Sequence, residues 1–174
     1  MMDKITQTEN GYQVTIGEQV MSVPNDPANE DYQRVQKAIA GGMKLTVPPG
    51  PTVAELRAAV NRERDRRMTS TFAFAGKDFD CDQSSLARIT GAATLAGFAI
   101  GAGAPSGFMR WHQGAADFAW IAADNTLSPM DAQTCFAFGQ AAANNQSAFI
   151  FAAKAIKGMD PIPPDFTTNA DYWP

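Results

Sequence analysis

Five residues, Val47-Pro48-Pro49-Gly50-Pro51, divide this chain. Their prolines lack backbone donors and hold φ near −65°, so the run can neither continue a helix nor sit in a central strand. The sequence on each side must therefore organise its own apolar groups. This gives an N-terminal module over 1–46, a linker over 47–51, a second domain over 52–158 and a proline-rich tail over 159–174. Pro161, Pro163, Pro164 and Pro174 keep that tail out of regular helix and predict an extended segment.

Before the linker, Tyr12, Val14 and Ile16 alternate with polar residues, and Asn10-Gly11 is a two-residue hairpin signal. A further turn is expected at Gly17-Glu18, completing a β-meander over 4–23. Asp26-Pro27 reads as an N-cap with proline at the first helical position, opening a helix whose Ala28, Tyr32, Val35 and Ile39 share a stripe. Gly41-Gly42 should end it.

After the linker, Thr52 and Glu55 have capping-box spacing, each able to satisfy an unpaired backbone donor at a helix start. The stripe Val53, Leu56, Val60 then gives way to a polar end, Asn61-Arg62-Glu63-Arg64-Asp65-Arg66-Arg67. A hairpin is expected over 71–81, a helix capped by Asp82 over 83–96, and a glycine-rich loop over 97–107. A strand pair, 108–112 with 117–121, is expected to turn around Gly114. Ser128-Pro129-Met130-Asp131 has the cap-and-proline pattern that opens a long helix over ~129–158. The class is α+β: small antiparallel hairpins packed on several helices, behind an N-terminal meander–helix module, with a long C-terminal helix.

In that last helix Cys135, Ala142, Phe149 and Ile156 recur every seven residues, with a second row at Phe138, Asn145, Ala152 and Met159. Either this face covers the chain's own hairpins, or it meets copies of itself with Asn145 as a polar layer fixing register. The first is favoured, because an alanine-rich ladder makes a weak coiled coil and the aromatic hairpins need a cover.

Hydrophobic residues form 45% of the chain and charged ones 18%, so a core is expected, and the net charge of −4 speaks against a general polyanion binder. No apolar run approaches the ~20 residues that cross a bilayer, and no signal peptide is read at the N-terminus. The expectation is thus a protein made in the cytoplasm, with neither membrane insertion nor nucleic-acid binding.

The chemistry-bearing motifs are sparse. His112 is the single histidine and has no nucleophile motif near it in sequence. Cys81 and Cys135 read as buried thiols. Asp78, Asp80 and Asp82 mimic the first ligands of a calcium loop, but Gln83 and Ile89 stand where glycine and a bidentate glutamate are required. No phosphate-binding glycine motif precedes a helix. Neither catalytic residues, nor a cofactor, nor a metal site is therefore assigned, and a non-enzymatic role is expected.

Arg62, Arg64, Arg66 and Arg67 alternate with Glu63 and Asp65, which favours a salt-bridged, solvated helix face over a nucleic-acid contact. These four arginines, with Asn145 and the aromatic residues Phe166, Tyr172 and Trp173 of the tail, are the candidate partner-binding residues. Reversing Arg66 and Arg67 to glutamate should weaken association and leave melting unchanged.

Over 53–158 the order of pieces resembles an uncharacterised domain family that recurs in tail and tail-fibre regions of bacteriophage genomes. The likeness lies in Arg62-Glu63-Arg64-Asp65-Arg66-Arg67, the pair Thr71–Cys81 around Ala75-Gly76-Lys77, and Ile89-Thr90-Gly91-Ala92. It continues in Met109-Arg110-Trp111, Ala123-Asp124-Asn125 and the end Phe151-Ala152-Ala153-Lys154-Ala155-Ile156-Lys157. The segment from Val23-Pro24-Asn25-Asp26-Pro27 to Gly41-Gly42 is similar to N-terminal parts of other phage tail proteins. The resemblance implies a virion structural protein, a minor tail or fibre-associated component that is homo-oligomeric and bound to other tail proteins. The alternative is a cytosolic tail-fibre assembly chaperone that leaves before the particle is complete.

Overall fold

A computed structural model describes residues 2–174, and the fold is α+β with a long C-terminal helix. The chain separates after Pro51 into two compact units.

In the first unit, strands β1 (Lys4–Thr8), β2 (Gly11–Ile16) and β3 (Gln19–Pro24) form an antiparallel meander. A two-residue strand, β4 (Leu45–Thr46), joins β1 in parallel, giving the order β3-β2-β1-β4. Helix α1 (Glu30–Ala40) covers one face, and Ile5, Val14, Val23 and Val35 are sealed between them. The helix starts later than its proline implied. Asn29 is the cap, its Oδ1 accepting from the amides of Asp31 at 2.9 Å and Tyr32 at 3.1 Å. Asp26 instead closes a local turn, accepting from Ala28 N–H, so Asp-Pro precedes the helix rather than opening it.

The second unit opens on α2 (Val53–Met68), where the capping box forms as its spacing required: Glu55 N–H donates to Thr52 Oγ1, and Thr52 N–H donates to Glu55 Oε2. Then come β5 (Phe72–Phe74) and β6 (Lys77–Phe79), joined by a two-residue turn with Ala75 at φ 48° and Gly76 at φ 78°. Helix α3 runs Gln83–Gly101, five residues beyond the expected end, so the glycine-rich loop begins only after it. Glycine weakens a helix, but packing overrides that propensity here. A Cβ on Gly97 would touch the Phe136 ring at 3.5 Å, and one on Gly139 would overlap the Cβ of Ala93.

Residues 108–112 are turns, not a strand. Trp111 is pinned by its indole N–H donating to the Met130 carbonyl at 3.0 Å. The strand partner of β7 (Ala119–Ile121) is β8 (Leu127–Pro129), closed by a turn in which Asp124 Oδ1 accepts from Thr126. Pro129 thus belongs to a strand end, where its missing N–H costs nothing. Helix α4 is Ala132–Lys157, capped by Asp131 rather than Ser128.

The ladder Cys135, Ala142, Phe149, Ile156 is buried along its length, inside the chain's own core. Phe138 is the hub of the N-terminal half, with ring centroids 5.3, 4.7 and 5.4 Å from Phe72, Phe79 and Trp120. The C-terminal half of α4 packs with Val60 of α2 and with the final segment.

That segment corrects the expectation of an extended tail. Residues 159–174 fold back, burying Ile162, Phe166 and Trp173 against Val60, Phe149, Ala153 and Ile156. A short 3-10 helix, Ala170–Tyr172, presents Trp173 inward, and its indole N–H donates to the Phe166 carbonyl at 2.7 Å. The prolines exclude helix, but three apolar anchors supply burial worth ~1.5–3 kcal/mol apiece, enough to order a segment of this length in part.

Candidate functional site

Val60 of α2 is buried against Phe149, Ala153 and Ile156, and this packing decides which side chains farther along the helix turn inward. Glu63 becomes the organising group, with its side chain only 9% exposed. Arg66 grips it with two hydrogen bonds, Nε to Oε2 at 2.9 Å and Nη2 to Oε1 at 2.7 Å, and Arg67 Nε donates to Oε1 at 2.7 Å. These bonds, Arg66's foremost, hold the Glu63 carboxyl below its ordinary pKa.

The four arginines do not form one basic patch. Arg62 is exposed, and Arg64 is drawn to Asp65 Oδ1 at 2.6 Å and Asn61 Oδ1 at 3.4 Å. Arg66 is mostly solvated, whereas Arg67 reaches back over the chain, its Nη2 donating to the Thr167 carbonyl at 3.1 Å and its guanidinium lying over the Trp173 ring. The structure thus gathers Arg67, Phe166, Tyr172 and Trp173 into one intramolecular cluster, in which Phe166 and Trp173 are buried and Tyr172 half-buried. This takes Phe166 and Trp173 out of the exposed surface to which the sequence assigned them.

Asn145 also turns inward. Its Nδ2 lies 3.9 Å from Cys81 Sγ, beside Gln146, whose Nε2 donates to the Met68 carbonyl at 3.0 Å and to Cys81 Sγ at 3.1 Å. The polar layer of α4 therefore serves the chain's own core.

Other titratable groups are likewise occupied by the architecture. Asp131 caps α4 and also accepts from Gly107 N–H at 2.7 Å and Ser106 Oγ at 3.2 Å. The Thr134 contacts first, then Gly107, depress its pKa to about 2. Asp82 caps α3 through Ser84 and Ser85, which holds its carboxyl far below the usual range. Burial raises both thiols, Cys135 to about 11, which keeps them protonated at neutral pH. Among the described residues no group of three or more His, Cys, Asp or Glu is gathered to hold a metal ion, and no helix is long and apolar enough to cross a membrane.

Sequence reasoning missed a cleft of about 490 Å³ at the C-terminal end of α3. Leu95, Phe98, Phe108 and Trp111 wall it, with His112 and Gln113 on its rim. His112 is held edge-on to Phe118, ring centroids 5.2 Å apart. Leu95 and Phe98 are 61% and 72% exposed, and Phe108 is 47% exposed. The signal was present: Leu95 and Phe98 fall outside the stripe of Ile89 and Ala96, and no charged residue occurs from Ile89 to Met109. On β7 and β8 the cross-strand pair Ile121 and Leu127 is also exposed, as are Ile150 and Phe151 on the outer face of α4.

A family model described as a domain of unknown function, DUF4376, matches residues 51–172, nearly the whole second unit. No curated protein and no solved structure matches the chain.

Proposed function

The chain belongs to the DUF4376 family over its second unit, and from that premise we propose that it is a non-catalytic contact module, a minor tail or tail-fibre-associated component of a bacteriophage particle. One contrast carries the reading. Glu63, Asp82, Asp131, Cys81 and Cys135 are occupied in caps, clamps and core. Large apolar side chains, Leu95, Phe98, Phe108, Ile121, Leu127, Ile150 and Phe151, meanwhile stand in solvent. Exposed apolar patches of this kind mark protein–protein contact sites, where aromatic side chains dominate the binding energy. The particle itself is supported by the sequence resemblance of residues 53–158.

A protein inventory of purified particles tests the assignment. Fixed stoichiometry of this chain supports a virion component. Presence in infected-cell lysate, bound to a fibre protein but missing from finished particles, selects the assembly chaperone instead. Turnover of a small molecule by the isolated chain, abolished by one substitution, would remove both.

A further inference from the structure

We propose that two copies of this chain associate through the outer face of the C-terminal half of α3, with Phe98 of each copy entering the cleft of the other. The inference deepens the contact-module reading and supplies one partner for it.

A two-fold contact uses the same patch on both copies, so the patch must contain a projection and a recess of matching chemistry. This face has both side by side. Phe98 and Leu95 project, 72% and 61% exposed, and they form one wall of the cleft of about 490 Å³ whose other walls include Phe108 and Trp111. The Trp111 indole N–H is already donated to Met130, so that wall of the cleft presents ring surface, with His112 and Gln113 as its polar side chains.

Charge selects the occupant. A chain of net charge −4 repels its copy in general, yet the stretch Ile89–Met109 has no ionisable side chain, and the next one, Arg110, is paired with Asp117 at 3.1 Å. His112 is the one ionisable side chain lining the cleft, so a charged partner would find little here to recognise it, whereas a second copy would bring an equally charge-poor surface. The area agrees with a small, weak contact between copies. Phe98, Leu95 and Phe108 together expose on the order of 400 Å². That is about half of the ~800 Å² per partner in a standard interface, before the alanines and glycines around them are counted.

Sedimentation equilibrium of the full chain up to ~100 μM, a range that reads a micromolar Kd, tests this. The expected mass is twice 18.6 kDa. Phe98→Glu and Leu95→Glu should each weaken association by at least ~tenfold by placing a charge in the dry centre, with unchanged circular dichroism and melting. Phe151→Glu, on the outer face of α4, should leave the dimer intact. If Phe98→Glu perturbs the melt, Phe98→Ser replaces it. A monomer throughout, a dimer insensitive to both α3 substitutions, or an assembly larger than two would overturn the proposal. The particle inventory is independent of this outcome, so a monomer found in particles would sink the dimer and keep the contact-module reading.

Discussion

The guanidinium of Arg67 lies 5.0 Å from the ring centroid of Trp173 while its Nε holds Glu63 and its Nη2 holds the carbonyl of Thr167, 100 positions along the chain. A single α2 side chain thereby joins a buried carboxylate to the aromatic anchor of the final segment. Its neighbour Arg66 shares the carboxylate but not the anchor.

Arg67→Ala should therefore cost about 1–3 kcal/mol through the lost cation–π contact and hydrogen bonds. Arg66→Ala should also lower Tm, by less than Arg67→Ala, because it takes two hydrogen bonds from the little-exposed Glu63 but leaves the Trp173 anchor in place. The double reversal to glutamate, expected from sequence to spare folding, should instead lower Tm. Thermal melts rank the variants, and amide exchange over 162–173 should quicken only where Arg67 is changed.

Asp131 couples the cap of α4 to the loop at Gly107. Asp131→Ala should destabilise by about 2 kcal/mol, from the lost cap and the amide left without its partner. Its folded-state pKa, about 2, lies below the ordinary 3.8. The contribution from ionised Asp131 is therefore full above the ordinary value and fades as pH falls through about 2. The Tm difference between wild type and Asp131→Asn should shrink over that interval.

Gly139 faces Ala93 where α3 and α4 cross. Gly139→Ala would overlap the Ala93 methyl and should cost about 1–3 kcal/mol by overpacking. Adding Ala93→Gly should return part of the loss, read as a coupling energy in a double-mutant cycle on denaturant unfolding.

Ala75 sits at φ 48° in the β5–β6 turn, a left-handed conformation that asparagine adopts more readily. Ala75→Asn should raise Tm by a few degrees and Ala75→Val should lower it.

Cys81 and Cys135 are buried with raised thiol pKa values. Both should resist an aromatic disulfide reagent at neutral pH in the native protein and react promptly in denaturant. Fast modification of either in the folded chain would contradict the burial described for it.

Local chemistry read from the sequence transferred where the required partner lies within a few residues. Thr52 and Glu55 form their box, Asp82 its cap, and the heptad of Cys135, Ala142, Phe149 and Ile156 its buried line. The errors fall where neighbouring signals compete. Asp26, Ser128 and Gly97 carry local signals equal to or stronger than those of Asn29, Asp131 and Gly101. Contacts distant in sequence settled two of these, Asp131 holding Gly107 and α3 continuing past Gly97 where it faces Phe136, whereas Asn29 prevailed over Asp26 through bonds to Asp31 and Tyr32.

By itself, the sequence determined the α+β class, the break at the prolines and the inward stripe of the last helix, because hydrophobic period and backbone geometry are properties of neighbouring residues. Only the tertiary structure decided that Arg67, Phe166 and Trp173 hold one another inside the protein while Leu95 and Phe98 stand outside it. Burial depends on which distant surfaces meet, and a one-dimensional pattern of apolar residues leaves that choice open.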